Sequence, residues 1–127
     1  MHTYVETTED ITVSVSPVYL DGQSDPMRRR FVFAYFVRIQ NNGSHPVQLL
    51  RRRWIIQDGS GDLREVEGEG VVGRQPVIPP GRAHAYNSFC ILEAFEGSMS
   101  GSYRMRRETG EEFEVQIPRF TLRAAAN

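Results

Sequence analysis

The chain has 127 residues, with 15 basic and 16 acidic side chains and a formal net charge of −1. That length allows one compact domain with a real core, and so balanced a charge supplies no global field to draw the protein to nucleic acid or a membrane surface. Its single cysteine, Cys90, excludes an internal disulfide and suits a reducing, cytoplasmic setting, while the sequence offers neither a run of about 18 apolar residues for a membrane span nor an apolar leader core at its start.

Residues 1–10 are polar and acidic without periodicity and read as a flexible arm. Residues 11–123 read as a single domain, and residues 124–127 as a tail. Ile11, Val13 and Val15 alternate as on a half-buried strand, but Val18 and Leu20 fall on the opposite parity, which predicts a bulge near Ser16-Pro17. Asp21 to Pro26 has the composition of a loop. Phe31 to Asn41 is the strongest strand, with Phe31, Phe33, Tyr35, Val37 and Ile39 on one face and Val32, Ala34 and Phe36 on the other. A strand apolar on both faces is central or covered from outside. After the turn cluster Asn41–Pro46, a strand runs from Val47 to Gln57 across the triplet Arg51-Arg52-Arg53. Asp58–Asp62 reads as a hairpin connection and Leu63–Glu67 as a short strand.

Beyond the glycine- and proline-rich stretch ending at Gly81, His84–Leu92 alternates imperfectly, and Glu96-Gly97 is expected to turn the chain. Met99, Gly101, Tyr103 and Met105 share a parity, Glu108–Glu111 forms a hairpin turn, and Phe113, Val115 and Ile117 alternate up to Pro118. Phe120 and Leu122 continue past it. About seven strands with closely spaced turn signals and no helical period predict an all-β fold. Two antiparallel sheets packed face to face bury such a pattern, which gives an immunoglobulin- or fibronectin type III-like β-sandwich. The missing cysteine pair favours the fibronectin variant.

Gly68, Gly70 and Gly73 spell G-x-G-x-x-G, the fingerprint of a dinucleotide-binding loop, which has meaning only where a helix opens and aims its amides at pyrophosphate. Pro76, Pro79 and Pro80 forbid that helix. What is left is a loop in which Gly68, Gly70, Val71, Val72, Gly73 and Arg74 form the candidate ligand- or partner-binding segment. Its glycines could turn amides toward an anion beside Arg74. Alternatively they satisfy turn geometry, with Val71 and Val72 tucked onto the sandwich, and the nearby Glu67 and Glu69 favour this structural reading.

Glu65, Glu67 and Glu69 alternate, so on an extended strand they share a face about 7 Å apart. That is too wide for one hard cation without a bend, and a solvated strand face is preferred. His2, His45 and His84 lack zinc spacing. Cys90 lies in a predicted strand as a buried, inert thiol, roughly 20 Å along that strand from His84. Ser88 sits in no nucleophile elbow. No catalytic set, metal site or cofactor is therefore expected. Arg28–Arg30, Arg51–Arg53 and Arg104 with Arg106 and Arg107 would make a phosphate patch only if they converged. Solubility and edge protection are the preferred reading.

Taken together, Phe31-Val32-Phe33-Ala34-Tyr35, Pro46-Val47-Gln48-Leu49-Leu50, Arg52 with Trp54, and Asp58-Gly59-Ser60-Gly61 make the sequence resemble the ApaG (CorD) family. So do Val66 through Gly73 with Gln75-Pro76, Pro80-Gly81, Met99–Tyr103 and the Ile117-Pro118 step. The resemblance covers nearly the whole chain. It implies a fibronectin type III-like sandwich without an established catalytic residue set. It also implies an association with cobalt and magnesium tolerance and diadenosine polyphosphate metabolism. Related domains in F-box proteins and a polymerase-delta-interacting protein imply partner binding. One departure is Phe89 after Tyr86-Asn87-Ser88, where the family usually has glycine. The expectation is a non-catalytic module for an unidentified protein partner, with Tyr86 and Phe89 as anchors if exposed. The alternative is a binder of nucleotide or diadenosine polyphosphate phosphates at Gly68–Gly73. Exposed sheet edges leave a dimer open.

Overall fold

The computed structural model describes residues 2–125. Nine strands form two antiparallel sheets. The first sheet has the order β1 (Tyr4–Thr8), β2 (Ile11–Tyr19), β3 (Phe31–Asn41), β7 (Ala83–Leu92). The second has the order β5 (Leu63–Glu69), β4 (Val47–Asp58), β8 (Glu96–Arg107), β9 (Glu112–Arg123), with β6 (Val77–Ile78) extending the β5 side of β4. Alternating residues of both sheets meet in one core: Val13, Val15, Phe33, Val37 and Ile39 from the first, Leu49, Trp54, Met99, Tyr103, Val115 and Phe120 from the second. Tyr35, Trp54 and Phe120 form an aromatic cluster at its centre, with ring centroids 5.2 to 5.9 Å apart. Such offset and edge-on pairs add to the burial of large apolar side chains. The β-sandwich expected from the alternation is the fold observed.

β3 is both central and covered. It pairs with β2 and β7, while the outward Val32 receives the loop between β2 and β3, its amide donating to Ser24 Oγ at 2.9 Å. Phe36, further along the same outward face, is half-exposed.

Four expectations change. Tyr4–Thr8, read as part of a flexible arm, is a strand paired in full with β2. The turn that makes this hairpin has Glu9 and Asp10 at φ 45° and 67°, a left-handed pair for which Asn-Gly or Asp-Gly is the usual signal. Ala124, placed in the tail, is buried and its amide donates to Phe95 O at 2.8 Å; Ala126 and Asn127 lie outside the described residues. The bulge at Ser16-Pro17 is absent, since β2 and β3 keep one register from Ile11↔Asn41 to Tyr19↔Phe33. Pro17 lies beyond Tyr4, the first residue of β1, where the β1–β2 ladder has already ended. Glu96-Gly97, expected as a turn, opens β8 instead, and the chain reverses just before it.

Bulges do occur, in the second sheet. β4 shifts register against β8 between Leu49 and Arg51, and β8 shifts against β9 between Met99 and Gly101. At the first, the buried positions switch from Val47 and Leu49 to Trp54, Ile56 and Asp58. At the second, they switch from Ile117 to Phe120 across Pro118 and Arg119. An extra residue in one strand restores the inward face after a parity change.

The two long sides of the sandwich differ. β1 lies against β9, with Gln116 N donating to Thr8 Oγ1 at 3.2 Å and the Tyr4 and Phe120 rings 6.1 Å apart. On the other side β7 and β5 form no ladder, and the Arg64 side chain reaches across, Nη2 donating to Ile91 O at 2.8 Å.

Candidate functional site

The glycine-rich segment is a short hairpin fastened to the β4 bulge. Val71 and Arg74 exchange both backbone bonds, Val71 N to Arg74 O at 2.8 Å and Arg74 N to Val71 O at 3.0 Å. Val72 and Gly73 form its tip at φ 47° and 75°, the two left-handed residues of a type I′ turn. Leu50 O, at the bulge, accepts from Gly70 N at 2.8 Å and from Gln75 Nε2 at 2.9 Å. Gly70 has positive φ, and a Cβ there would run into the Arg74 carbonyl. A Cβ at Gly68 would lie 2.8 Å from the Arg52 guanidinium, which covers that glycine and donates from Nη1 to Glu69 O and Gly70 O at 3.0 and 2.9 Å. Two of the three motif glycines therefore serve close packing.

The hairpin divides the candidate residues. Val71 is buried in the core, whereas Val72 is exposed at the tip, so only one of the two valines tucks onto the sandwich. The amides of Gly70, Val71 and Arg74 are all used by carbonyls. Among the described residues, the Val72 and Gly73 amides are left to meet an anion beside Arg74.

Arg52 points inward, on the parity of Trp54, beside a group of buried hydroxyls. Tyr86 Oη and Tyr103 Oη are hydrogen-bonded to each other. Burial pushes both phenols well above their usual range, and the Arg52 charge opposes this weakly. Tyr86 is thus a half-buried core residue rather than a surface anchor. Cys90 is buried, and burial pushes its thiol up to about 11; a thiol so far from ionising is a poor nucleophile at neutral pH.

Asp58 is a joint. Its Oδ1 accepts from Ser60 N and Ala94 N, both at 3.1 Å, and its Oδ2 from Glu93 N at 2.7 Å, which fastens the β4–β5 turn to the segment after β7. Burial works to raise this carboxyl, but the three amide donors outweigh it and hold it below the usual carboxylate range.

The outer faces carry the sharpest contrast. On the second sheet Glu65 and Glu67 face Arg53 across the ladder, with Arg53 Nε 2.7 Å from Glu65 Oε1 and 3.4 Å from Glu67 Oε1. Arg104 faces Glu112 and Glu114 at 3.4 and 3.7 Å. Glu65, Glu67 and Glu69 do share a face, yet Arg53 and Arg51 lie opposite them in register. Among the described residues no three His, Cys, Asp or Glu side chains converge as metal ligands do. Arg51 and Arg104 are neighbours in the same register, while Arg28–Arg30 lie in the loop before β3, on the other sheet.

The outer face of the first sheet is built from uncharged side chains. Its rows run Val5, Ser14, Arg38, Ala85; then Ser16, Phe36, Asn87; then Val18, Ala34, Phe89; then Val32, Ile91. Arg38 is the one charge in those rows. Phe36, Phe89 and Ile91 are 48, 58 and 39% exposed. A depression of about 530 Å³ opens beside Phe36, lined by Ser14, Ser16, Arg38, Ala85 and Asn87. An apolar row beside small polar side chains suits a protein surface better than it suits bulk water. Phe89, which the sequence offers as an anchor if exposed, is exposed; Phe36, on the second apolar face of its strand, is a residue the sequence does not single out.

A profile described as the ApaG domain matches residues 21–107. Protein ApaG of Paramagnetospirillum magneticum (strain ATCC 700264 / AMB-1) is 52% identical over 119 residues, covering 94% of this chain and 92% of that protein. Protein ApaG of Bordetella pertussis (strain Tohama I / ATCC BAA-589 / NCTC 13251) is 50% identical over 113 residues, covering 89% of this chain and 86% of that one. The crystal structure of the putative ApaA protein from Bordetella pertussis superposes with a TM-score of 0.88 at 50% identity, covering 90% of this chain and 93% of that one. The sandwich is therefore shared with a known group, and the chain belongs to the ApaG family.

Proposed function

We propose that this chain is a non-catalytic binding module that presents the outer face of the β1-β2-β3-β7 sheet to a protein partner. The observation that carries the reading is the contrast between that face, with exposed Phe36 and Phe89 and a single charge, and the ion-paired face opposite. Exposed aromatics beside a depression are the usual anchors of an interface, because they bury much area at little cost in side-chain entropy. The buried Cys90 thiol and the buried tyrosine pair agree with a non-catalytic role, and the single cysteine agrees with a cytoplasmic one. A tie to cobalt or magnesium tolerance would then run through the partner, since Arg53 already occupies the carboxylates of Glu65 and Glu67.

Affinity capture with the parent chain and with Phe36→Asp and Phe89→Asp tests this. Loss of the same captured proteins by both folded variants supports the face. Their full retention overturns it. The alternative, phosphate capture at Gly68–Gly73, rests on the Val72 and Gly73 amides beside Arg74. Amide titration with ATP and a diadenosine polyphosphate reads it directly, and silence at those two amides ends it.

A further inference from the structure

Of the four sheet edges, three carry devices that discourage another strand from pairing. β1 is five residues long and leans on β9. β9 has Glu112, Glu114 and Arg119 and a bulge at Pro118. β5 has Arg64, Glu65, Glu67 and Glu69. Short length, charge, proline and bulges are how proteins guard an edge. β7 has none of them. Its ten residues include no Asp, Glu, Lys, Arg or Pro, and its register with β3 is unbroken from Phe31↔Leu92 to Gln40↔Ala83.

In an antiparallel ladder, alternate residues bond one neighbour and the rest turn both N–H and C=O to the other side. Ile91 O accepts from Arg64, so the outward set is Ala85, Asn87, Phe89 and Ile91. Among the described residues, that Arg64 bond is the side-chain hydrogen bond made to the backbone of this row. The flank is cationic. Among the described residues, neither Arg52 nor Arg74 has a carboxylate within ion-pair distance. Arg74 is close enough that its charge, after burial, helps hold the His84 imidazole below its usual range. The β5 carboxylates point to the opposite face, toward Arg51 and Arg53.

We propose that the free edge of β7 takes up an extended segment of a partner protein as an added strand. That segment carries apolar side chains beside Phe89 and Ile91 and a carboxylate on its other face, toward Arg52. The proposal rests on the protein-binding reading above and adds its mode and the partner's chemistry. Strand addition supplies affinity through main-chain bonds and specificity through alternate side chains. A second copy of this chain offers a less suitable strand, because β7 contains no acid to meet Arg52 or Arg74.

The test uses the full chain, isotopically labelled, with a peptide of about ten residues alternating valine and glutamate. Its lysine counterpart and a version N-methylated on alternate residues serve as controls. Saturable binding of the glutamate peptide is expected, with slowed amide exchange at Ala85, Asn87 and Phe89. The lysine and N-methylated peptides should each bind about tenfold or more weakly. Asn87→Pro removes one edge donor and should weaken binding similarly; the N-methylated peptide asks the same question without altering the fold. Binding that leaves those amides unprotected, or that is equal for all three peptides, overturns the proposal. So does a concentration-dependent dimer that protects the same amides without peptide, which would assign the edge to a second copy. If Phe36→Asp abolishes partner capture while Asn87→Pro leaves it intact, strand addition fails and the face reading survives. If neither variant affects capture, both fall.

Discussion

On the β4–β8 sheet the outward side chains include arginines and glutamates in facing columns, with Ile55, Leu63, serines and glutamines between them; on the β2–β3 sheet they are small polar and apolar residues with Phe36, Phe89 and Ile91 around the single charge of Arg38. Both faces use the same strand geometry and both alternate with the same buried core, so the difference is not a demand of folding. A charged face solubilises and resists association, since each pairing must displace water from ions. A face of small uncharged side chains with two exposed phenylalanines does neither. On the proposed reading, one side is kept out of contacts and the other is available for them.

The largest test of that contrast acts on what holds both faces together. Asp58→Ala leaves three amides without their acceptor and should cost about 3 kcal/mol in urea unfolding, with both sheets melting together. The carboxyl is held below its usual range, so its contribution is fully present above the unfolded value and is lost as pH falls through the lower folded one. Asp58→Asn should accordingly show a shallower fall in Tm under acid than the parent; an identical acid profile would remove Asp58 as the joint. Next comes Phe89→Asp, which should weaken partner binding by about 2 kcal/mol, the scale of an aromatic anchor, with Tm little changed. Glu67→Gln, on the charged face, should leave binding as it was, and if the two variants exchanged effects the faces would be wrongly assigned.

Smaller is the hairpin tip. Val72 is β-branched and sits at φ 47°, so Val72→Asn, giving the preferred Asn-Gly turn, should stabilise by about 1 kcal/mol with an unchanged denaturant slope. Loss of binding together with that gain would show that the strained valine is kept for contact. Smallest is Arg53→Gln. Its ion pairs are exposed, and the modest fall in Tm should vanish in about 1 M salt.

Most of the fold was readable because the strands alternate and their turns announce themselves, as at Asn42-Gly43, Asp58-Gly59 and Thr109-Gly110. β1 was hidden because Glu9 and Asp10 adopt left-handed geometry without the glycine that signals it, and its Val5-Glu6-Thr7-Thr8 shows no apolar rhythm. The bulge was placed at Pro17, where parity changed, while the β2–β3 ladder runs on unaltered. The bulge in β4 was masked by the arginine triplet, which conceals that Arg52 turns inward and its neighbours outward. Of the glycine motif, the absence of a helix was legible from the prolines. That Gly68 makes room for an arginine side chain depends on β4 lying alongside, which no local pattern encodes.

The β4 bulge has a further consequence. The residues before it face the core on odd numbers and those after it on even ones, so Leu50 acts as a phase step within one continuous strand. Removing that single residue, with no change to any other, would leave Leu49 and Arg51 opposite Met105 and Arg104 in unbroken alternation, keeping Arg51–Asp58 on their present faces but taking away the carbonyl that accepts from Gly70 and Gln75. The same deletion a few residues later, with no bulge to absorb it, is the structural counterpart of a reading-frame shift: harmless in composition, and turning every side chain downstream of it to the other face.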